Sequence, residues 1–225
     1  MQIVRQVYWL LWKDLLLEIR RRESLISMFF FGVVLLLLFH FSFEIPRERV
    51  ADMAPGLLWL AFIFTGTLGL NQLFQVEREN QCLEALLLSP MDRGALYLAK
   101  VFFNITTMLI VELFVFPLFW ILFNLDLWRL LPSLFLVAIF GTIGFCVLGT
   151  LFSAVTLKAR ARELLLPLIL FPFIIPVFLG TIRAMEIILQ EGSFQELQPW
   201  LRLLTGFDVI FLTIGFLLFE WVIEG

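Results

Sequence analysis

Six apolar stretches, each near the length needed to cross a bilayer, constrain this chain more than any single residue does. They cover residues 25–43, 54–74, 101–124, 130–156, 164–182 and 203–223. A hydrocarbon core of ~30 Å takes about 20 helical residues to cross. The apolar residues run on without polar alternation, as in 33–39, which excludes the strands of a membrane barrel. A helix satisfies its backbone hydrogen bonds within the segment, and lipid offers no other partner. The sequence therefore predicts an all-α integral membrane protein with six transmembrane helices, organised as one transmembrane domain over 1–225.

Composition closes the alternatives. Hydrophobic residues make up 61% of the 225 and charged residues 16%, against roughly 45–50% and about 25% in soluble domains. A soluble fold of this length could not bury 27 Phe, 7 Trp and 2 Tyr. Soluble enzymes, disordered chains and disulfide scaffolds are thereby excluded. The net charge is −3, and basic residues interleave with aromatics only in the extreme N-terminal segment, so nucleic acid is not an expected partner. Cys82 and Cys146 lie far apart and are expected to be free and reduced. The N-terminus has mixed charge and no small-residue cleavage site after its first apolar run, so it does not read as a cleavable signal.

Lysine and arginine set the expected orientation. With the N-terminus inside, eleven of the 16 Lys and Arg fall on the inner side and five on the outer. That bias predicts an N-terminus, and after six spans a C-terminus, on the cytoplasmic side of the membrane.

Three segments lie outside the spans. In residues 1–24, Val4, Val7, Tyr8, Leu11, Trp12, Leu15 and Ile19 recur at helical spacing, while Arg5, Lys13, Asp14 and Arg20 take other positions. This predicts an interfacial amphipathic helix, with Trp9 and Trp12 at headgroup depth and Arg20–Arg22 anchoring the first span. Residues 75–98 form a cytosolic loop. Glu77, Arg78 and Glu79 make a charged tip, then Leu83, Leu86 and Leu87 form a short apolar face beside Glu84. Pro90 stops that helix and Asp92 caps the next. A charged tip joined to an apolar face reads as a docking surface; the plainer account is a connector resting on the bundle. Residues 183–202, with Gly192, Ser193 and Pro199, are long for a tight turn and read as an external loop, with a short helix or re-entrant segment capping the outer mouth.

Within the spans, Glu112 stands at mid-depth of the third, where a carboxylate costs at least ~2.5 kcal/mol, and Asn104 lies about two turns earlier. Both are candidate intramembrane polar sites, as substrate-path residues or as interhelical hydrogen bonds. His40, the one histidine, is set against two accounts: an interfacial side chain, or a ligand for haem iron. Apart from Glu112, the acids fall in loops and form no pair placeable in the bilayer. Lys158, Arg160 and Arg162 make a basic inner loop, and Pro167, Pro172 and Pro176 predict kinks in the fifth span. No phosphate-binding G-x-x-x-x-G-K-[ST] loop, multi-histidine metal site or Ser-His-Asp arrangement occurs, so catalysis, bound ATP and a metal are not expected in this chain.

The pattern E-R-E-N-x-C-L-E-x-L-L-L-S-P-M-D-R at 77–93 resembles the permease subunits of ABC-2-type transporters. Lys13-Asp14-Leu15, Arg20-Arg21-Arg22-Glu23-Ser24, Ala54-Pro55-Gly56-Leu57-Leu58-Trp59, Val111-Glu112-Leu113 and Pro117-Leu118 resemble the cytochrome c maturation protein B (haem exporter protein B) family within that group. Gln81 departs from the glycine often found there. The resemblance covers essentially the whole chain. It implies six helices, an interfacial N-terminal helix and a coupling helix between spans two and three, the arrangement of ABC-2 (type V) exporters. It implies a homodimer working with an ABC ATPase subunit that binds the ATP. A haem-handling membrane subunit, a small single-span subunit and a periplasmic haem chaperone are the other implied partners. The implied function is to couple ATP hydrolysis to haem export or to release of the haem-loaded chaperone; haem is handled by the complex, and no cofactor is held by this chain. A non-conducting scaffold of that complex, or an ABC-2 permease for lipid or polysaccharide, are the alternatives. Glu77, Arg78, Glu79, Leu83, Glu84 and Leu87 are the expected contacts with the ATPase.

Overall fold

The computed structural model describes residues 2–43, 50–75, 77, 91–123 and 130–224, and every regular element among them is α-helical. In chain order these are α1 (Gln2–Arg21), α2 (Glu23–Ser42), α3 (Val50–Gln72), α4 (Arg93–Leu122), α5 (Leu131–Val155), α6 (Arg162–Leu189) and α7 (Phe194–Glu224). Helices α2 to α7 are each long and apolar enough to cross a membrane. The chain is a multi-pass helical membrane protein.

Burial orders the bundle. The apolar window of α5 is 72% buried and that of α3 67%, against 22% for α2 and α7, so α5 and α3 are central and α2 and α7 peripheral. Helix α5 packs on α7, α6 and α4, while α3 packs on α2 and α6. Lipid tails are as apolar as these side chains, so close packing and interhelical polar contacts hold the helices together. Gly141 shows how: a Cβ there would land on ring carbon Cη2 of Trp59 and lie 2.7 Å from Thr181 Oγ1. Its missing side chain lets α5 receive the indole of α3, which is 1% exposed. The Tyr97 hydroxyl on α4 donates to the Val147 carbonyl of α5 at 3.0 Å.

Three helices run longer than their apolar cores. Helix α4 starts at Arg93, where Asp92 accepts from the Ala95 N–H at 3.2 Å, so the expected cap is present. Helix α6 continues to Leu189 and α7 begins at Phe194. The segment 183–202, expected to be a loop, is thus two helix ends around a tight turn. Glu191 takes a left-handed φ of 53°, the Gly192 N–H donates to the Ile187 carbonyl at 2.8 Å, and Gln190 reaches Asp52 of α3 at 2.7 Å. Pro167, Pro172 and Pro176 all lie inside the single helix α6; within a bundle, neighbouring groups and small local adjustments absorb the missing donors.

Helix α1 meets α2 at Arg22, which adopts φ 57° and whose Nε donates to the Ile19 carbonyl at 3.1 Å. Glu18 then caps the start of α2 by accepting from the Leu25 N–H at 2.9 Å. Gln6 reaches the Asp92 N–H at 3.4 Å, and Asp14 meets Lys100 at 3.0 Å. Both contacts step eight residues along each chain, so α1 runs in the same direction as the first half of α4. Its outer face carries exposed Val4, Tyr8, Trp9, Trp12 and Ile19.

Candidate functional site

Four charged side chains from three parts of the chain converge where α3 ends. Lys100, on α4, donates to Glu77 Oε1 at 2.7 Å and lies 3.0 Å from Asp14 Oδ2. Lys13 lies 3.0 Å from the same Glu77 oxygen and 3.1 Å from Asp14 Oδ1. The Lys100 ammonium also donates to the Leu73 carbonyl at 3.2 Å and sits 5.1 Å from the centre of the Phe74 ring. Asp14, Glu77 and Lys100 have side chains only 7%, 4% and 3% exposed, whereas that of Lys13 is 41% exposed. The cluster is formally neutral, which is what makes its burial tolerable.

Position explains how a helix with so many apolar residues comes to bury an acid. Asp14 is the buried residue of α1 and faces α4, while the aromatic residues of α1 face outward. Burial alone pushes the Glu77 carboxyl up, but the ammonium groups of Lys100 and Lys13 outweigh it and hold the group below its ordinary value. For Lys13 burial pulls downward, and the Asp14 and Glu77 carboxylates more than reverse it, leaving the group raised. A cavity of about 50 Å³ bordered by Asp14, Glu18, Gln72, Glu77 and Lys100 gives the cluster room for water.

A second tie holds α3 about one turn earlier. Arg162, 4% exposed, donates from Nη2 to the Leu70 carbonyl at 3.0 Å and to Ser153 Oγ at 2.7 Å, and Ser153 donates to that carbonyl at 2.9 Å. One residue of the expected basic loop is therefore a buried clamp joining α3, α5 and α6. Beside it opens a cleft of about 1250 Å³, with Phe31, Phe64 and Phe171 on its apolar walls and Asn71, Arg160 and Glu163 at its polar end.

The intramembrane residues occupy a third region. Glu112 and Asn104, 0% and 1% exposed, both face inward from α4, but no hydrogen bond joins them. Glu112 accepts from the Thr142 hydroxyl of α5, its other oxygen having no hydrogen-bond partner, and the same holds for Asn104 Nδ2. Asp208 of α7, 7% exposed, corrects the expectation that the remaining acids lie in loops. It reaches α5 at Gly144, where a Cβ would stand 2.8 Å from Oδ1. Cys146 is free and buried. His40 is half-buried, its ring set against Phe41 and Phe123 at 5.4 and 5.5 Å. No metal-binding group of His, Cys, Asp and Glu occurs among the described residues.

A family model described as CcmB protein matches residues 5–221. The chain belongs to the CcmB family. Among curated proteins it is 29% identical to Heme exporter protein B of Pseudomonas aeruginosa over 197 residues, 88% of each chain. It is 30% identical to Heme exporter protein B of Rhodobacter capsulatus over 174 residues, covering 76% of this chain and 78% of that one. Against the protein of the same name from Haemophilus influenzae the identity is 24% over 177 residues, 77% and 78% of the two chains.

Of the six loop residues singled out in this CcmB-family chain, Glu77 lies in the ion cluster, while Arg78, Glu79, Leu83, Glu84 and Leu87 fall outside the described residues, as does Cys82. Sequence reasoning did not assemble Lys13, Asp14 and Lys100 with Glu77. The available signal was two basic and two acidic residues just outside the apolar spans, in segments that must lie near one membrane surface. Asp208 carried a plainer signal, an acid inside an apolar run.

Proposed function

We propose that this chain is the permease subunit of an ABC transporter complex for cytochrome c maturation, in which it couples a partner ATPase to haem export or to release of a haem-loaded periplasmic chaperone. The observation that carries the proposal is the placement of Glu77. It is the first residue of the E-R-E motif, and it is locked by Lys100 and Lys13 to α4 and α1. A force applied to residues 78–90 enters the bundle at that residue. ATP-driven closure of two ATPase subunits moves a permease only through contacts that differ between its open and closed states. The loop supplies the contact and the ion cluster transmits it.

The rest of the reading follows the same chemistry. The chain works as a homodimer with two ATPase copies, and the haem-handling and single-span subunits and the chaperone complete the assembly. The termini face the cytoplasm across the inner membrane, and α1 packs along the inner end of α4 with Tyr8, Trp9 and Trp12 exposed on its outer face. The cleft lined by Phe31, Phe64 and Phe171, with Arg160 and Glu163 at its polar end, has the apolar walls that suit a porphyrin such as haem.

A pull-down on this chain from mild detergent, with mass spectrometry and an absorbance spectrum, tests the proposal. A nucleotide-binding subunit is expected, lost on Glu84→Arg or Leu87→Asp, together with a haem Soret band. Absence of an ATPase across several detergents overturns it. Haem movement in vesicles holding only this chain and the ATPase distinguishes a conducting permease from a scaffold.

A further inference from the structure

Two buried acids stand inside the apolar spans, and among the described residues no ion pair reaches either. They flank the central helix. Glu112 of α4 meets α5 at Thr142, and Asp208 of α7 meets it at Gly144. Two residues along a helix are about 200° apart around its axis, so the acids approach α5 from nearly opposite sides. Glu112 takes the Thr142 hydroxyl as donor. No hydrogen bond from a described residue reaches the Asp208 carboxyl, whose Oδ1 is buried against the backbone of Gly144. The missing side chain of Gly144 is what lets it approach so closely.

The surroundings of Asp208 hold no cation. Helix α7 packs on α5, α6 and α4. From α5 comes the Cys146 thiol, within electrostatic reach of both Asp208 and Glu112. From α6 comes Val177, beside Gly144; the charged residues of that helix, Arg162, Glu163, Arg183 and Glu186, stand towards its ends. From α4 come Glu112 itself and Tyr97, whose hydroxyl is already given to the Val147 carbonyl. On α7, Glu196, Arg202 and Glu220 are exposed. The N–H groups of mid-helix α5 are bound within that helix. A carboxylate only accepts and finds no donor there, whereas a carboxylic acid has an O–H that a helix carbonyl can accept.

We infer that Asp208 is a proton-binding site: it docks α7 on α5 as a carboxylic acid, and loss of that proton releases α7 from α5 at Gly144. Glu112 carries a proton too, but its position keeps it there. It is 0% exposed, and freeing it means parting α4 from central α5. Asp208 is 7% exposed and sits beside Val209 and Ile210, at 60% and 56%, on a helix whose apolar window is only 22% buried. A small outward movement of α7 is enough to let its proton exchange. A carboxylate left in an apolar seam is costly, so ionisation and outward movement of α7 occur together. This site is independent of the loop contact proposed above.

The test is a pH titration of the purified complex by difference infrared spectroscopy, which reads the carbonyl band of a protonated carboxyl, together with hydrogen exchange of α7. A band present at neutral pH is expected to disappear reversibly as pH rises, the protonated fraction falling about tenfold per pH unit beyond the midpoint. Asp208→Asn should remove that band, Glu112→Gln should leave it, and Asp208→Glu, which keeps an acid, should shift it. Isotope-labelled aspartate carboxyls separate the Asp208 band from that of Glu112 in the unsubstituted protein, so the test survives a variant that fails to fold. Over the same pH range the amides of α7 around Asp208, corrected for their intrinsic rates, should exchange faster by about tenfold or more. In Asp208→Asn, an isostere of the acid, their corrected exchange should stay slow at every pH. An ionised Asp208 at neutral pH overturns the inference, as does a titrating band that survives Asp208→Asn. So does corrected α7 exchange that is indifferent to pH, or that responds to pH equally in the parent and in Asp208→Asn.

Discussion

Replacing Lys100 with Met removes the one fully enclosed cation of the ion cluster while keeping most of its volume. Two carboxylates lie 2.7 and 3.0 Å from its ammonium. At an effective dielectric of ~20, each contact at about 3 Å is worth roughly 5 kcal/mol before desolvation. Desolvation of three enclosed ions takes back most of that, so the intact cluster adds little net stability. The asymmetry appears when one partner leaves: Asp14 and Glu77 stay buried with only half-exposed Lys13 between them. Breaking a buried pair in this way costs about 3–5 kcal/mol. Adding Glu77→Gln to Lys100→Met removes one stranded charge, so the double variant should be less destabilised than the sum by about 1–3 kcal/mol. Reversible unfolding in mixed micelles of increasing dodecyl sulfate content measures all four corners of the cycle. A Lys100→Met cost below about 1 kcal/mol, or additive single effects, would refute a buried, mutually dependent cluster.

The cluster also sets a pH window. Glu77 is held below its ordinary 4.5, so its contribution is complete above that value and is lost as pH falls through the depressed folded value. Lys13 is raised above 10.5, so its contribution is complete below that value and is lost as pH rises through the folded one. Micellar stability measured from pH 3 to 12 should therefore plateau between roughly 5 and 10 and fall on both sides. Thr142→Val leaves Glu112 enclosed without its donor and should cost about 1–3 kcal/mol, whereas Glu112→Gln retains an acceptor and should stay within about 1 kcal/mol of the parent in the same assay. Gly141→Ala drives a methyl into the Trp59 ring; a loss of about 1–3 kcal/mol is expected, with changed tryptophan emission. His40→Ala removes only ring contacts with Phe41 and Phe123, so the Soret band of the purified complex should be unchanged.

What could be read in advance divides along physical lines. A bilayer demands contiguous apolar residues, so the six spans are written locally, and Asp92 marks the start of α4 because a cap needs only its own next turn. Residues 183–202 misled because their polar content resembles a loop, yet Ser193 and Glu196 stand at the spacing that restarts a helix, and their side chains bond at 2.8 Å. The ion cluster is of another kind. Lys13 and Asp14 are neighbours, but Glu77 and Lys100 come from distant elements, and only the packing of α1 along α4 brings them together. Helical periodicity picked out the apolar residues of α1 without revealing that Asp14 is what this helix buries.

The form of the cluster bears on how work done outside the membrane could reach its interior. Apolar side chains exchange neighbours at little cost, so helices held only by dispersion slide before they transmit a push. A buried ion pair has one register, because displacing it leaves charges without partners. Glu77, Lys100, Asp14 and Lys13 therefore bind the exit of α3, the start of α4 and the middle of α1 into one unit. Glu112 lies twelve residues beyond Lys100 on α4, roughly 18 Å along the same helix, and meets Thr142 on the central helix α5. On the coupling proposed above, displacement of the loop would pass from Glu77 to α4 and from α4 to the most enclosed helix of the bundle. Peripheral α7 reaches that same helix through Asp208, packed against Gly144. The buried polar groups stand where helices meet that must keep register while the surrounding apolar surfaces remain free to move against lipid.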